Sequence, residues 1–174
     1  METLYKKHNP IKINSRGIIV ADPCYNKSVH CILKLRNVLK GMYNTYYSLS
    51  ELKGWGTRIK DLIILHDSID FDVNTLCNFM LNKEYIDDIS VDSGTAGFFN
   101  NDYYNKHHYN DSIDDDWYEE YICEKLGQID VFEGKCFISS SGLGDGSYGV
   151  YALYNEDNKI IGVQIEYLCD EEED

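Results

Sequence analysis

The feature that most constrains this fold is a regular alternation of strand-like runs and turns in the C-terminal third. Residues 134–168 read GKCFISSSG, then GDG, then SYGVYALY, then NEDN, then KIIGVQIEYL. Aromatic and β-branched residues fill the runs, and Gly, Asp and Asn separate them, which marks strands joined by tight turns. The spacing predicts three antiparallel strands in a meander. Asp145-Gly146 sits where a type I′ hairpin turn is expected, and residues 155–158 make the next turn.

Upstream the reading is more mixed. Residues 1–15 are polar and without period, so they are expected to form a loose arm. Gly17 to Ala21 is a short buried strand broken by Asp22-Pro23, because proline cannot donate to a ladder and restricts its predecessor. Ser28 can cap a helix running to Val38, with Val29, Ile32, Leu33 and Leu35 near helical spacing. Gly41 to Leu52 and Arg58 to His66 are strands of a hairpin around the GWG turn at 54–56. Asn74 can cap the helix TLCNFMLNK. Ile86 to Val91 and the GTAGFFN run give strand, turn, strand. Residues 100–116 form a polar loop, and a helix starting at Asp114, Asp115 or Asp116 carries WYEEYICEKL to Gly127. The sum is an α+β fold: an antiparallel β-sheet ending in a C-terminal meander, with a few short inserted helices. One globular domain covers 1–168, and 169–174 is an acidic tail.

Charge narrows the partner. Asp and Glu number 30 against 16 Lys and Arg, a net charge of −14. A surface that tracks a phosphate backbone needs clustered cations, so direct binding of nucleic acid or an anionic membrane is disfavoured. A basic protein is the complementary partner, for example a nuclease or another nucleic-acid-binding protein. Plain solubility accounts for the charge equally well. The only modest basic patch is Lys53, Arg58 and Lys60 beside a turn. The six cysteines have no CxxC spacing, and no apolar leader or 18-residue apolar run is present. Reduced thiols in a cytoplasm are expected, a host's if the chain is phage-encoded.

Three segments place Gly or Pro beside an acid at a strand end: ADPCY (21–25), DSGTAGFF (92–99) and GLGDGSY (142–148). If these loops converge, Asp22, Asp92 and Asp145 can form a carboxylate cluster that binds Mg²⁺ or Ca²⁺ or shares a proton. Cys24, Ser93, Ser147 and Tyr148 stand beside them. The plainer account makes the acids turn residues that bond local backbone N–H groups. Cys24 with His30 or His66, oriented by Asp92, is a weaker Cys–His arrangement. GLGDGS lacks the following Lys and helix of a phosphate loop and is better read as a turn. His107-His108 is read as exposed loop. A separate acidic, aromatic stretch spans Asp102, Tyr103, Tyr104, Tyr109, Asp111, Asp114, Asp115, Asp116, Trp117, Tyr118, Glu119 and Glu120, opposed only by Lys106. It is the expected partner-binding face.

The order DPCY, DSGxxGFF, SSSGxGDGxY resembles an uncharacterised family of small bacterial and phage proteins, a domain of unknown function. Here those residues are Asp22 to Tyr25, Asp92-Ser93-Gly94 with Gly97-Phe98-Phe99, and Ser139 to Gly142 with Gly144 to Tyr148; the stretch from Gly54 to His66 fits loosely. The resemblance spans about residues 16–168 and sets apart the 100–116 loop and the acidic tail. It implies that the three motifs meet, and implies no activity. The main functional expectation is an acidic cytoplasmic protein, without cofactor, that inhibits or sequesters a basic partner, in the manner of phage anti-defence (anti-CRISPR-like) or immunity proteins. The alternative is a metal-dependent hydrolase or nuclease using Asp22, Asp92 and Asp145.

Overall fold

The computed structural model describes residues 4–14, 16–25, 30–109, 112–113, 115–119 and 129–169. Its strands are β1 (Tyr5–Ile13), β2 (Ile18–Ala21), β3 (Ile32–Leu35), β4 (Gly41–Leu52), β5 (Gly56–His66), β6 (Glu84–Val91), β7 (Thr95–Asn100), β8 (His108–Tyr109), β9 (Ser112–Ile113), β10 (Asp130–Phe132), β11 (Cys136–Ser140), β12 (Gly146–Tyr154) and β13 (Ile160–Glu166). The helical segments are α1 (Val73–Asn82), α2 (Asn101–His107) and the single turn α3 (Asp115–Trp117). A six-stranded sheet has the order β1-β4-β5-β13-β12-β6, and a five-stranded sheet has the order β10-β11-β7-β2-β3. Every ladder in both is antiparallel. The fold is therefore a two-sheet, mostly antiparallel β structure, not the expected α+β arrangement.

Alternation along the strands builds the core. Leu62 and Ile64 of β5, Val163 and Ile165 of β13, and Val150 and Ala152 of β12 point inward from one sheet. Ile18 and Val20 of β2, Phe98 of β7 and Phe137 of β11 meet them from the other, all buried in one cluster. Each sheet also buries apolar groups on its outer face. Phe79 of α1 packs on Tyr46, Ile63 and Leu65. Tyr103 and Tyr104 of α2, with Trp117, pack on Ile19, Phe99 and Ile138. Strands covered on both faces lose the polar half of the alternation, which is why β7 is buried at every residue.

Several local expectations are corrected. Residues 5–13 form edge strand β1, with Ile11 and Ile13 in the core, rather than a loose arm. The expected helix to Val38 is strand β3 over Ile32–Leu35, because Leu33 and Leu35 face the core while Ile32 packs on the outer cluster. Its expected cap, Ser28, lies outside the described residues. Helix α1 is capped by Asp72 instead of Asn74; Asp72 Oδ1 accepts from Thr75 N at 2.7 Å. The polar loop at 100–116 contains α2, capped by Asn100, and the small β8–β9 ladder. The helix expected to reach Gly127 falls mostly on residues 120–128, outside those described.

The C-terminal meander is also corrected. Only β12 and β13 form a hairpin. Strand β11 belongs to the other sheet, between β10 and β7. The GLGDG segment therefore carries the chain between sheets. Its left-handed residues are Gly142 and Gly144, while Gly146 already opens β12.

Gly97 marks a close inter-strand approach. A Cβ there would lie 2.2 Å from Phe137 O and 2.7 Å from Ile138 Cα, both backbone atoms. Gly97→Ala is expected to destabilise the protein by about 1–3 kcal/mol, the cost of overpacking a closed core. A denaturant midpoint equal to the parent's would contradict this packing.

Candidate functional site

The three motif loops do meet, and a buried carboxylate joins two of them. Asp22, at the end of β2, is fully buried. Its Oδ1 accepts from Cys24 N at 3.0 Å and Ser93 Oγ at 2.7 Å. Its Oδ2 accepts from Asp92 N and Ser93 N, both at 2.8 Å. Four donors fill this carboxylate, leaving it little capacity as a base or a metal ligand. The third loop joins through backbone: Ser141 N donates to Gly94 O at 3.0 Å. Asp145 Oδ1 lies 4.0 Å from where a Cβ on Gly94 would stand.

The other two acids have separate roles. Asp92 is exposed and accepts from Tyr25 Oη at 2.7 Å. That bond leads the causes that push the Tyr25 phenol up to about 12. Asp145 is exposed on its loop. Among the described residues, no three His, Cys, Asp or Glu side chains are placed to hold a metal ion. The motifs thus come together as loops, with the Asp22 and Asp92 carboxylates each engaged by donors of their own. His66 is also committed elsewhere, with its Nδ1 2.7 Å from Ser68 Oγ and its Nε2 3.0 Å from Lys40 O.

The segment expected to be a partner-binding face supports this junction from beneath. Tyr104 Oη donates to the carbonyls of Asp22, at 3.3 Å, and Tyr25. His108 stacks on Tyr104 with ring centroids 3.8 Å apart. Its Nδ1 and Nε2 lie 2.7 Å from Tyr104 O and Pro23 O. Burial lowers the His108 pKa, and the two carbonyls pull the other way. His107, expected to be exposed, is buried and stacked on Trp117 at 4.7 Å.

Tyr103, Tyr104 and Trp117 are thus core anchors, 5%, 2% and 3% exposed, and present no contact surface to a partner. They are buried because α2 lies on the outer face of the five-stranded sheet, where Trp117 Nε1 also donates to Tyr103 Oη. Asp102, Asp116 and Glu119 are exposed, and Asp102 faces Arg16 at 3.5 Å. Asp111, Asp114 and Glu120 lie outside the described residues, as do the side chains of Tyr109 and Asp115.

A second polar cluster, missed in the sequence, lies on the outer face of the six-stranded sheet. The register aligns Tyr5, Ser48, Asp61, Glu166, Gly149 and Asp88 in one rung across all six strands. Asp61 is 1% exposed. It accepts from Tyr5 Oη and Ser48 Oγ, both at 2.5 Å, and from Gln164 Nε2 at 2.8 Å. Lys83 extends the cluster, 2.9 Å from Gln164 Oε1, 3.4 Å from Glu166 Oε2 and 4.0 Å above the Tyr151 ring. Desolvation raises the Asp61 pKa, partly offset by its three donors. The available signal was an acid inside the apolar run RIKDLIILH.

The chain matches the model of a family described as a protein of unknown function, DUF4241, over residues 11–165. It belongs to that family. The matched span runs from β1 into β13 and takes in all three motif loops and the 100–116 stretch. No curated protein and no solved structure gives a significant match.

Two variants test the buried acids. Asp22→Ala strands the N–H groups of Cys24, Asp92 and Ser93, at about 1–3 kcal/mol for each donor left unsatisfied. Asp22→Asn keeps one acceptor oxygen, so denaturant unfolding is expected to rank parent, Asp22→Asn, Asp22→Ala in falling stability. Equal midpoints would remove Asp22 from its structural role. For Asp61 the folded pKa is raised, so folding favours its protonated form. The stability it contributes is complete below the unfolded value of about 3.9 and declines as pH rises through the folded value. The stability of the parent relative to Asp61→Asn is therefore expected to fall as pH rises from that value. Thermal melts across that range check this, and a difference independent of pH would refute it.

Proposed function

We propose that this protein binds a basic protein partner through the Glu84–Asp88 stretch of the edge strand of the six-stranded sheet, acting as an inhibitor or sequestering factor. The observation that carries this reading is strand β6. It is an edge strand, and Glu84, Tyr85, Asp87 and Asp88 are exposed on it. Tyr85 is 58% exposed and donates to Asp88 Oδ1 at 3.0 Å. An edge strand presents backbone groups that can pair with an incoming extended segment. Acids along it repel a second copy of the same edge and attract Lys- or Arg-rich chain. The net charge of −14 supplies a long-range field of the same sign.

The partner class is a nucleic-acid-binding protein, whose basic groove an acidic strand would occupy. A cytoplasmic setting fits the thiols: the five cysteines among the described residues form no disulfide with one another. No helix among the described residues is long and apolar enough to cross a membrane.

The test uses the partner recovered by cross-linking in the producing cell and then purified. Reversal of Glu84, Asp87 and Asp88 to Lys is expected to weaken binding at least tenfold and to flatten its salt dependence. Reversal of Asp102, Asp116 and Glu119 is expected to leave both unchanged. The opposite pattern would move the interface to the 102–120 segment and overturn the β6 assignment.

A further inference from the structure

His108 faces two carbonyls at once, and that geometry ties its hydrogen bonds to its protonation. Its Nδ1 lies 2.7 Å from Tyr104 O, and its Nε2 lies 2.7 Å from Pro23 O. A carbonyl oxygen only accepts, whereas a neutral imidazole carries one N–H and one lone pair. The neutral ring therefore satisfies one of these carbonyls and turns a lone pair toward the other. The imidazolium, with an N–H on each nitrogen, makes both bonds.

The two carbonyls differ in origin. His108 is the C-cap of α2, and its backbone N–H goes to Asn105 O. Nδ1–H therefore fills a helix-end carbonyl four residues back in its own chain. Pro23 O belongs to the DPCY loop, so the Nε2 bond is the one that joins separate elements. Tyr104 Oη grips the same loop through the carbonyls of Asp22 and Tyr25. The ring is held in place by Tyr104, stacked at 3.8 Å, and by Trp117 of α3, edge-on at 5.4 Å. Among the described residues, the titratable groups around this stack come from three elements. His107 on α2 opposes a second positive charge. Asp22, Cys24 and Cys31 act on the Tyr104 phenol from the β2–β3 side, and Asp22 is already filled by four donors. Asp116 of α3 is exposed.

We propose that His108 is a proton-gated latch: protonated, it ties the DPCY loop to α2 through Pro23 O, and neutral, it keeps Nδ1–H on Tyr104 O and releases the loop. The direction follows from where each influence on the ring resides. Burial lowers the His108 pKa, and the two carbonyls raise it. The burial comes with the Tyr104 and Trp117 stack and persists when the loop is released. The Pro23 contribution exists only while the loop is held. The latched ring is therefore the stronger base, and falling pH shifts the population toward the latched state. The released segment carries Tyr25 and its bond to Asp92, so pH remodels the surface of the motif junction. This device is independent of the β6 interface.

Ring ¹⁵N spectra of the full chain test this in the parent protein, with the His108 signals identified by their loss in His108→Gln. The ring is expected to carry one N–H, on Nδ1, at about pH 7.5 and two at about pH 5, with a midpoint below the ordinary value of about 6.5. Hydrogen exchange at the Cys24 amide reports the loop. Its protection, corrected for the intrinsic rate at each pH, should be at least about fivefold higher at the acid pH. In His108→Phe, which keeps the stacked ring and lacks both donors, that difference should vanish. Thermal melts establish that this variant folds, and His108→Gln replaces it if it does not. A neutral ring with its proton on Nε2, or no titration of the ring over this range, would overturn the proposal. So would equal Cys24 protection at both pH values, or a difference that survives in the variant. Lower protection in acid would also overturn it, since protonation would then expel the ring.

Discussion

The arrangement of this chain depends on satisfying one buried carboxylate at a crossing between sheets. The chain passes from the six-stranded to the five-stranded sheet at Asp92-Ser93-Gly94 and returns at Gly142 to Gly146. Asp22 holds the first passage against the end of β2 through two backbone N–H groups and a hydroxyl. The Ser141 N to Gly94 O bond ties the return passage to the same point. Buried charge is costly unless donors meet it. A fully paired Asp at this place fixes which loop lies against which, and hence how the inner faces of the two sheets oppose each other. Tyr104 and His108 close the arrangement from the outer side by bonding the carbonyls of Asp22, Pro23 and Tyr25. The second buried acid, Asp61, acts within one sheet, where it cross-links three strands through Tyr5, Ser48 and Gln164.

Strands whose signal is local could be read from the sequence. Gly41–Leu52 matches β4, and the 147–154 run falls within β12, because aromatic and β-branched residues dominate them over a strand's length. Pairing partners could not be read, because the Asp-Gly signal marks a turn and does not say which sheet the next strand joins. β11 left the expected meander for that reason. It buries Phe137 on one face and Cys136 and Ile138 on the other, which only a strand between two apolar layers can do. Short strands failed differently. Four residues of β3 contain two inward positions, Leu33 and Leu35, too few to separate period 2 from period 3.6. In β1 the polar residues Lys6, Lys7 and Asn9 hid a strand that is polar because it is an edge.

The candidate site was half visible. Gly and Pro beside acids correctly pointed to three loops that converge. The local bond from Cys24 N to Asp22 was within reach of the turn reading, but the sequence could not show the donors from Asp92 and Ser93, which come from about seventy positions away. Nor could it show that Tyr103, Tyr104 and Trp117 face inward. An aromatic stretch among acids looks like a contact surface, yet it equally suits a helix that must cover an apolar sheet face while its other side meets water.

The two edge strands of the six-stranded sheet carry opposite charge, and their difference in shape matters as much. β1 exposes Lys6, Lys7 and Lys12, while β6 exposes Glu84, Asp87 and Asp88. Unlike edges on two copies would attract and, by repeating head to tail, build an open polymer. β1 prevents a continuous ladder by its backbone. Pro10 supplies no N–H, and the register to β4 breaks between His8 and Ile11. β6 has no proline, and its register break, between Val150 and Tyr151 on the β12 side, leaves five consecutive pairs from Asp87 to Val91, while its Ser90 N–H donates to His30 O at 2.6 Å. One edge is therefore blocked by geometry, and the other is guarded by charge over Glu84–Asp88 and taken up at Ser90 by His30. Charge is selective where geometry is not: it turns away a second acidic edge, and under the proposed function the Glu84–Asp88 stretch of β6 receives a basic strand from a different protein.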